Sequence, residues 1–133
     1  MIFIDASFII AFNSNKDIHH AKAKELWKCI ENKDFGEYFI SDHIFDEIIS
    51  VSLRKSKDKD GTVMLGDKLI KTLPMVKINW DLFDDAWKIF KETKTNMGFT
   101  DCTNLAVMGL LNIDKIATFD KAFQKIEGLE VIN

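Results

Sequence analysis

Proline is nearly missing from this chain, at one residue in 133, and only six glycines and two cysteines accompany it. Each scarcity removes a class of protein. One Pro beside 11 Phe and 3 Trp is the composition of an ordered globular chain, not of a collagen-like or low-complexity polymer. The glycines are scattered, so there is no Gly-rich loop to wrap a phosphate, and no GxSxG elbow presents a nucleophilic serine. Cys29 and Cys102 have no CxxC spacing, which leaves a reduced intracellular protein with two structural thiols as the reading. His19, His20 and His43 lack the i, i+4 spacing of a helical zinc site and suit surface or capping roles.

Long apolar runs are also lacking. Leu105 to Ile113 is broken by Gly109 and Asn112 and falls far short of the ~20 residues of a membrane span. Met1 to Ile10 is apolar but carries Asp5 and shows neither a basic leader nor a small-residue cleavage site, so it reads as a strand and helix start. The expectation is a cytoplasmic protein with no membrane partner. Basic charge is short as well: 18 Lys and Arg against 21 Asp and Glu give a net charge of −3. That excludes a surface that is basic throughout, and any nucleic-acid contact must rely on a local patch or on metal.

What is present is an alternation of short apolar runs and amphipathic stretches, over a length suited to one domain covering residues 1–133. Ile2–Ile4, Tyr38–Ile40, Met75–Ile78, Lys115–Thr118 and Leu129–Ile132 read as strands. Between them, Ala23, Leu26, Trp27 and Ile30 recur at helical spacing, as do Ile44, Phe45, Ile48 and Val51 behind a Ser41 or Asp42 cap. The polar run Arg54–Gly61 reads as a surface excursion before a helix from about Thr62 to Leu73, which Pro74 ends. Asp81 is the expected cap of a helix whose Leu82, Phe83, Ala86, Trp87 and Phe90 keep a 3.6-residue period. Thr100 or Asp101 opens the next helix, and Asp120 to Ile126 forms a last one with Gly128 as its C-cap. The predicted class is α/β: three layers, with a central, mostly parallel sheet of four to five short strands and helices on both faces.

In such sheets, functional groups collect outside the carboxyl ends of the strands. Asp5 ends the first strand, Glu47 lies one turn into the helix after the second, Asp101 opens a helix, and Asp120 follows a later strand. Singly, each acid has a plain reading as a cap, a first-turn residue or a solvated boundary residue. Asp46, next to Glu47, is expected to point out of the back of its helix. Gathered together, four carboxylates repel one another unless a cation neutralises them, and an oxygen-only donor set favours Mg²⁺, with Mn²⁺ as a substitute. Such ions assist phosphodiester hydrolysis.

At these residues the chain resembles the PIN-domain ribonucleases, and among them the VapC-type toxins of toxin–antitoxin pairs. The resemblance rests on Ile4-Asp5-Ala6-Ser7, on Ser41 followed by Ile44-Phe45 and Glu47, on Asp101 with Leu105 and Ala106, and on Thr118-Phe119-Asp120-Lys121-Ala122-Phe123. It implies a PIN-like fold and a divalent-metal-dependent endoribonuclease. Asp5, Glu47, Asp101 and Asp120 would be its catalytic, metal-binding acids, and Ser7 and Thr118 the supporting hydroxyls. It also implies an RNA substrate, a small DNA-binding antitoxin as partner, and a homodimer. Arg54, Lys55, Lys57 and Lys59 are the candidate RNA contacts, or else a solvated loop in which Asp58 and Asp60 are interleaved. Two other readings compete: a solitary RNA-processing PIN nuclease, and a non-catalytic binding module that an ion merely stabilises. A receiver-like module would want an acid beside Asp5, and an aspartyl phosphatase a second Asp where Ser7 stands.

Overall fold

Ile2, Phe3 and Ile4 have no measurable exposure, which requires cover on both faces of the strand they form. That strand, β1 (Ile2–Ile4), is the middle of a five-stranded sheet in the computed structural model, which describes all of residues 1–133. The others are β2 (Tyr38–Ser41), β3 (Met75–Val76), β4 (Lys115–Ala117) and β5 (Glu130–Ile132), in the order β3-β2-β1-β4-β5. Every neighbouring pair is parallel, so the sheet is fully and not just mostly parallel. The chain winds outward from β1 through β2 to β3, then crosses to the other side of β1 for β4 and β5. The reversal puts a crevice at the carboxyl ends of β1 and β4.

Six helices fill the connections: α1 (Ala6–Asn13), α2 (His20–Glu31), α3 (Asp42–Ser56), α4 (Lys59–Thr72), α5 (Trp80–Glu92) and α6 (Phe99–Leu111). Ser41 caps α3 as its sequence suggests, its Oγ accepting from the Ile44 N–H at 3.2 Å. Other ends differ from expectation. The polar run after Arg54 is a helix junction: Lys57 adopts φ 55° at the end of α3, and Asp58 caps α4, which begins at Lys59 and not at Thr62. Gly61 looks like a breaker, yet it sits in the first turn, where any side chain would run into the Asp58 carboxylate that accepts its N–H. Asn79, not Asp81, caps α5, and α6 begins at Phe99. Residues 121–125 make only a 3₁₀ turn, η1 (Lys121–Lys125), which Asp120 caps; it ends at Ile126 and not at the expected Gly128, whose φ of 79° serves the turn into β5 instead.

One core of 25 buried apolar residues joins these layers. Phe123 reaches it from η1 and is fully buried, so it pins to the sheet the turn that carries Asp120. On α5 the buried face is narrower than the apolar stripe: Leu82 and Ala86 pack inward, while Phe83, Trp87 and Phe90 stay 38%, 47% and 38% exposed. They meet Phe99 edge-on and form an aromatic ridge with Trp80. No helix is long and apolar enough to cross a membrane.

Phe123→Ala should cost about 3–5 kcal/mol, the usual figure for emptying a buried Phe site. Urea unfolding measures this, and a loss below ~1 kcal/mol would show that η1 is not anchored through this ring.

Candidate active site

Asp5 is only 5% exposed, and a carboxylate that deep needs donors. It has three on one oxygen: the Ser7 hydroxyl at 2.6 Å, the Thr118 hydroxyl at 2.8 Å and the Ser7 N–H at 3.3 Å. Each hydroxyl has a single hydrogen, so with both committed to Asp5 the 3.0 Å between Ser7 and Thr118 is a close contact. Both oxygens still accept, Ser7 from the Phe119 N–H at 3.1 Å and Thr118 from the Asp120 N–H at 3.0 Å. The Asp5 N–H in turn donates to the Ala117 carbonyl, extending the β1–β4 ladder by one residue. A continuous network therefore runs from the end of β1 to the backbone of Asp120.

Glu47, Asp101 and Asp120 line one open cleft of ≈ 680 Å³ above this network, and Asp5 lies buried behind it. Asp101 is in the first turn of α6, where its Oδ2 accepts from the Gly98 N–H at 2.9 Å. It thus caps its own helix while facing the cleft. Asp120 is held by the Ala122 N–H on Oδ1 at 2.8 Å. Asp46 also borders the cleft, contrary to its expected outward placement. The cleft is wide enough to take in the flank of α3 as well as the Glu47 face, which a helical wheel does not reveal. Of the four candidate bases, Arg54 lines this cleft, Lys55 lines a separate groove with Asn13 and Asp17, and Lys57 and Lys59 line neither.

A family model described as PIN domain matches residues 2–129. The chain belongs to the PIN-domain family. Among solved structures it is similar to VapC20 of Mycobacterium tuberculosis, a sarcin–ricin-loop-cleaving toxin, at 24% identity and TM-score 0.85 over 100% of both chains. It is also similar to a chain of a toxin–antitoxin complex from Klebsiella pneumoniae, at 20% identity and TM-score 0.71, covering 100% of this chain and 97% of that one. VapBC2 of Rickettsia felis, bound to a DNA fragment from its promoter, matches at 17% identity and TM-score 0.73, over 100% and 98%. At these identities the likeness speaks for the fold. No curated protein matches.

The electrostatics of this PIN domain are those of crowded like charges. Burial raises the Asp5 carboxyl, against the pull of its hydroxyl donors. Glu47, on the cleft rim, is raised by partial desolvation and then by Asp5, Asp101, Asp120 and Asp46. Asp101 is pushed up to about 6, mainly by desolvation, with Asp5 and Asp120 adding repulsion and the Gly98 N–H opposing it. No three acids, histidines or cysteines are already drawn together as a metal-holding set. The donor chemistry nevertheless fits a hard cation. The acids facing the cleft offer only oxygen, and a dication would relieve the repulsion felt by Glu47 and Asp101. Glu47 and Asp120 are exposed, so their side chains have room to turn inward.

An acid whose folded pKa is raised stabilises the fold below its unfolded pKa, and that contribution is lost as pH climbs through the folded value. For Asp101 the window runs from the ordinary 3.8 to about 6. In chelator at pH 7, Asp101→Asn keeps an acceptor for Gly98 and sheds the charge. After discounting for partial exposure, it should be more stable by ~1 kcal/mol, or ~3 °C in melting temperature. Calorimetry across this pH range checks it, and a variant less stable than wild type at pH 7 would contradict the repulsion described here.

Proposed function

We propose that this PIN-domain protein is a divalent-metal-dependent endoribonuclease and the toxin of a toxin–antitoxin pair. The observation that carries the reading is the cleft at the sheet's switch point. There, Glu47, Asp101 and Asp120 from three separate segments line one cleft, with Asp5 fixed behind them by Ser7 and Thr118. Desolvation together with the charge of the neighbouring acids raises Glu47 and Asp101. Four mutually repelling carboxylates have no structural purpose that a neutral residue would not serve better. They suit Mg²⁺ or Mn²⁺, with Asp5, Glu47, Asp101 and Asp120 as the holding residues. Such an ion supplies charge neutralisation at the scissile phosphate and a water activated for in-line attack.

The chain's own residues do the remaining work. Ser7 and Thr118 donate to Asp5, fixing its orientation and opposing the rise that burial imposes on its carboxyl. The Gly98 N–H and the Ala122 N–H orient Asp101 and Asp120. Arg54 puts a cation on the same cleft, suited to a non-bridging phosphate oxygen. Family membership and toxin-like fold neighbours, one of them cleaving the sarcin–ricin loop, support the RNA substrate and an antitoxin partner. The exposed aromatic ridge on α5 supports a homodimer.

Purified protein should cut a mixed RNA pool with Mg²⁺ or Mn²⁺ and not in chelator. Asp101→Asn and Glu47→Gln should each reduce cutting by at least roughly 100-fold, since even outer-shell partners of a metal cost about 10–100-fold. Wild-type cleavage that survives chelation, or that both variants retain, would defeat the metal mechanism. Folded wild type that cuts nothing and gains no thermal stability from metal would defeat the metal-site reading altogether.

A further inference from the structure

An acidic cleft on an acidic protein repels the polyanion it is proposed to cut, so cations beside it have to offset that repulsion. Arg54 is on the cleft wall that α3 supplies. A second group, absent from the sequence-derived candidates, lies beside Asp120. Lys94, Lys121 and Lys125, with Thr95, Asn96 and Ala122, line a separate concavity of ≈ 470 Å³. All three lysines are exposed, and none of them takes part in any of the chain's ion pairs. Three unpaired ammonium groups around one hollow are conspicuous in a chain whose acids outnumber its bases.

Both walls of this hollow are wired to the acids. Lys121 follows Asp120 directly, and η1, which carries Lys121 and Lys125, is capped by the Asp120 carboxylate. Lys94–Asn96 belong to the loop that enters α6 through Gly98, whose N–H holds Asp101. Phe123, fully buried between the two η1 lysines in sequence, keeps that turn in place. The lysines are therefore set on backbone that also positions two of the cleft acids.

We propose that Lys94, Lys121 and Lys125 form a phosphate-binding subsite for single-stranded RNA. It holds the backbone of nucleotides flanking the cut, on the Asp120 side of the cleft. This rests on the nuclease reading above and extends it by giving the strand a course: from Arg54, past the acids, to the lysine hollow. Bases are not read here; the subsite supplies sequence-independent attraction and register.

The test is a titration of labelled single-stranded RNA, followed by fluorescence anisotropy over a series of salt concentrations. Chelator is present throughout, so that binding is read without cleavage. The triple variant Lys94→Gln, Lys121→Gln, Lys125→Gln should bind roughly 10–100-fold more weakly at low salt, with a log–log salt slope reduced by about 2, at ~0.7 per single-strand phosphate contact. A charge-matched control, Lys22→Gln, Lys24→Gln, Lys28→Gln on α2, should lose much less. Melting temperatures establish that both variants are folded. Equal losses in the two triples would overturn the subsite and leave only bulk charge. Wild-type affinity and slope in the first triple would overturn it while the nuclease reading stands on metal-dependent cutting. No RNA binding by wild type at any salt would also overturn it, and the cleavage assay would then decide the nuclease reading separately.

Discussion

A buried carboxylate at the end of the central strand is the constraint on which this structure turns. Removing Asp5 from water is costly unless its charge is met by donors. The fold meets it with hydroxyls from two different elements, Ser7 on α1 and Thr118 just after β4. Those hydroxyls can reach one oxygen only if β1 and β4 are neighbours in register, with their carboxyl ends level. The pairing of Ile4 with Ala117, and the bond from the Asp5 N–H to the Ala117 carbonyl, supply that alignment. The network thus couples a local choice of side chains to the least local feature of the topology, the crossover that returns the chain to the other side of β1.

From this anchor the rest of the site follows with some frustration. Ile2, Phe3 and Ile4 are fully buried, so the sheet interior accepts no polar group, and charge has to emerge where the strands end. Once several acids do emerge there, desolvation raises Asp5, Glu47 and Asp101, repulsion adds to it at Glu47 and Asp101, and Asp101 reaches about 6. Local rules are satisfied all the same: Asp101 bonds the start of α6 and Asp120 caps η1. A group that serves local structure while working against its neighbours is the pattern expected at a functional site.

Much of this was legible in the sequence because it depends on short-range chemistry. A three-residue apolar run leading into Asp5 and a serine ahead of an amphipathic helix both announce their backbone roles. The four acids could be assigned to the carboxyl edge from alternation alone. What was hidden depended on context. Gly61 reads as the end of a surface excursion unless the capping of α4 by Asp58 is known. The aromatic stripe of α5 is wider than the face its neighbours cover, and its 3.6-residue period does not tell that Phe83 and Trp87 stay partly exposed. Asp46 reads as pointing out of the back of α3, away from the cleft it borders, because periodicity gives direction around a helix and not the width of the cleft beside it.

The same limit accounts for the bases. The run from Arg54 to Lys59 is conspicuous in sequence because its charges are adjacent, yet adjacency along a chain that turns from α3 into α4 scatters them, and only Arg54 reaches the cleft. Lys94 stands 27 residues before Lys121, and the two share a hollow because α6 and β4 fold back between them. For a polyanionic substrate, what counts is charge density within about a Debye length, ~8 Å at physiological salt, and not net charge. A chain with net charge −3 can therefore present a cationic course on either side of an acidic cleft. The surplus acids elsewhere on its surface then discourage nonspecific binding of nucleic acid without touching the site.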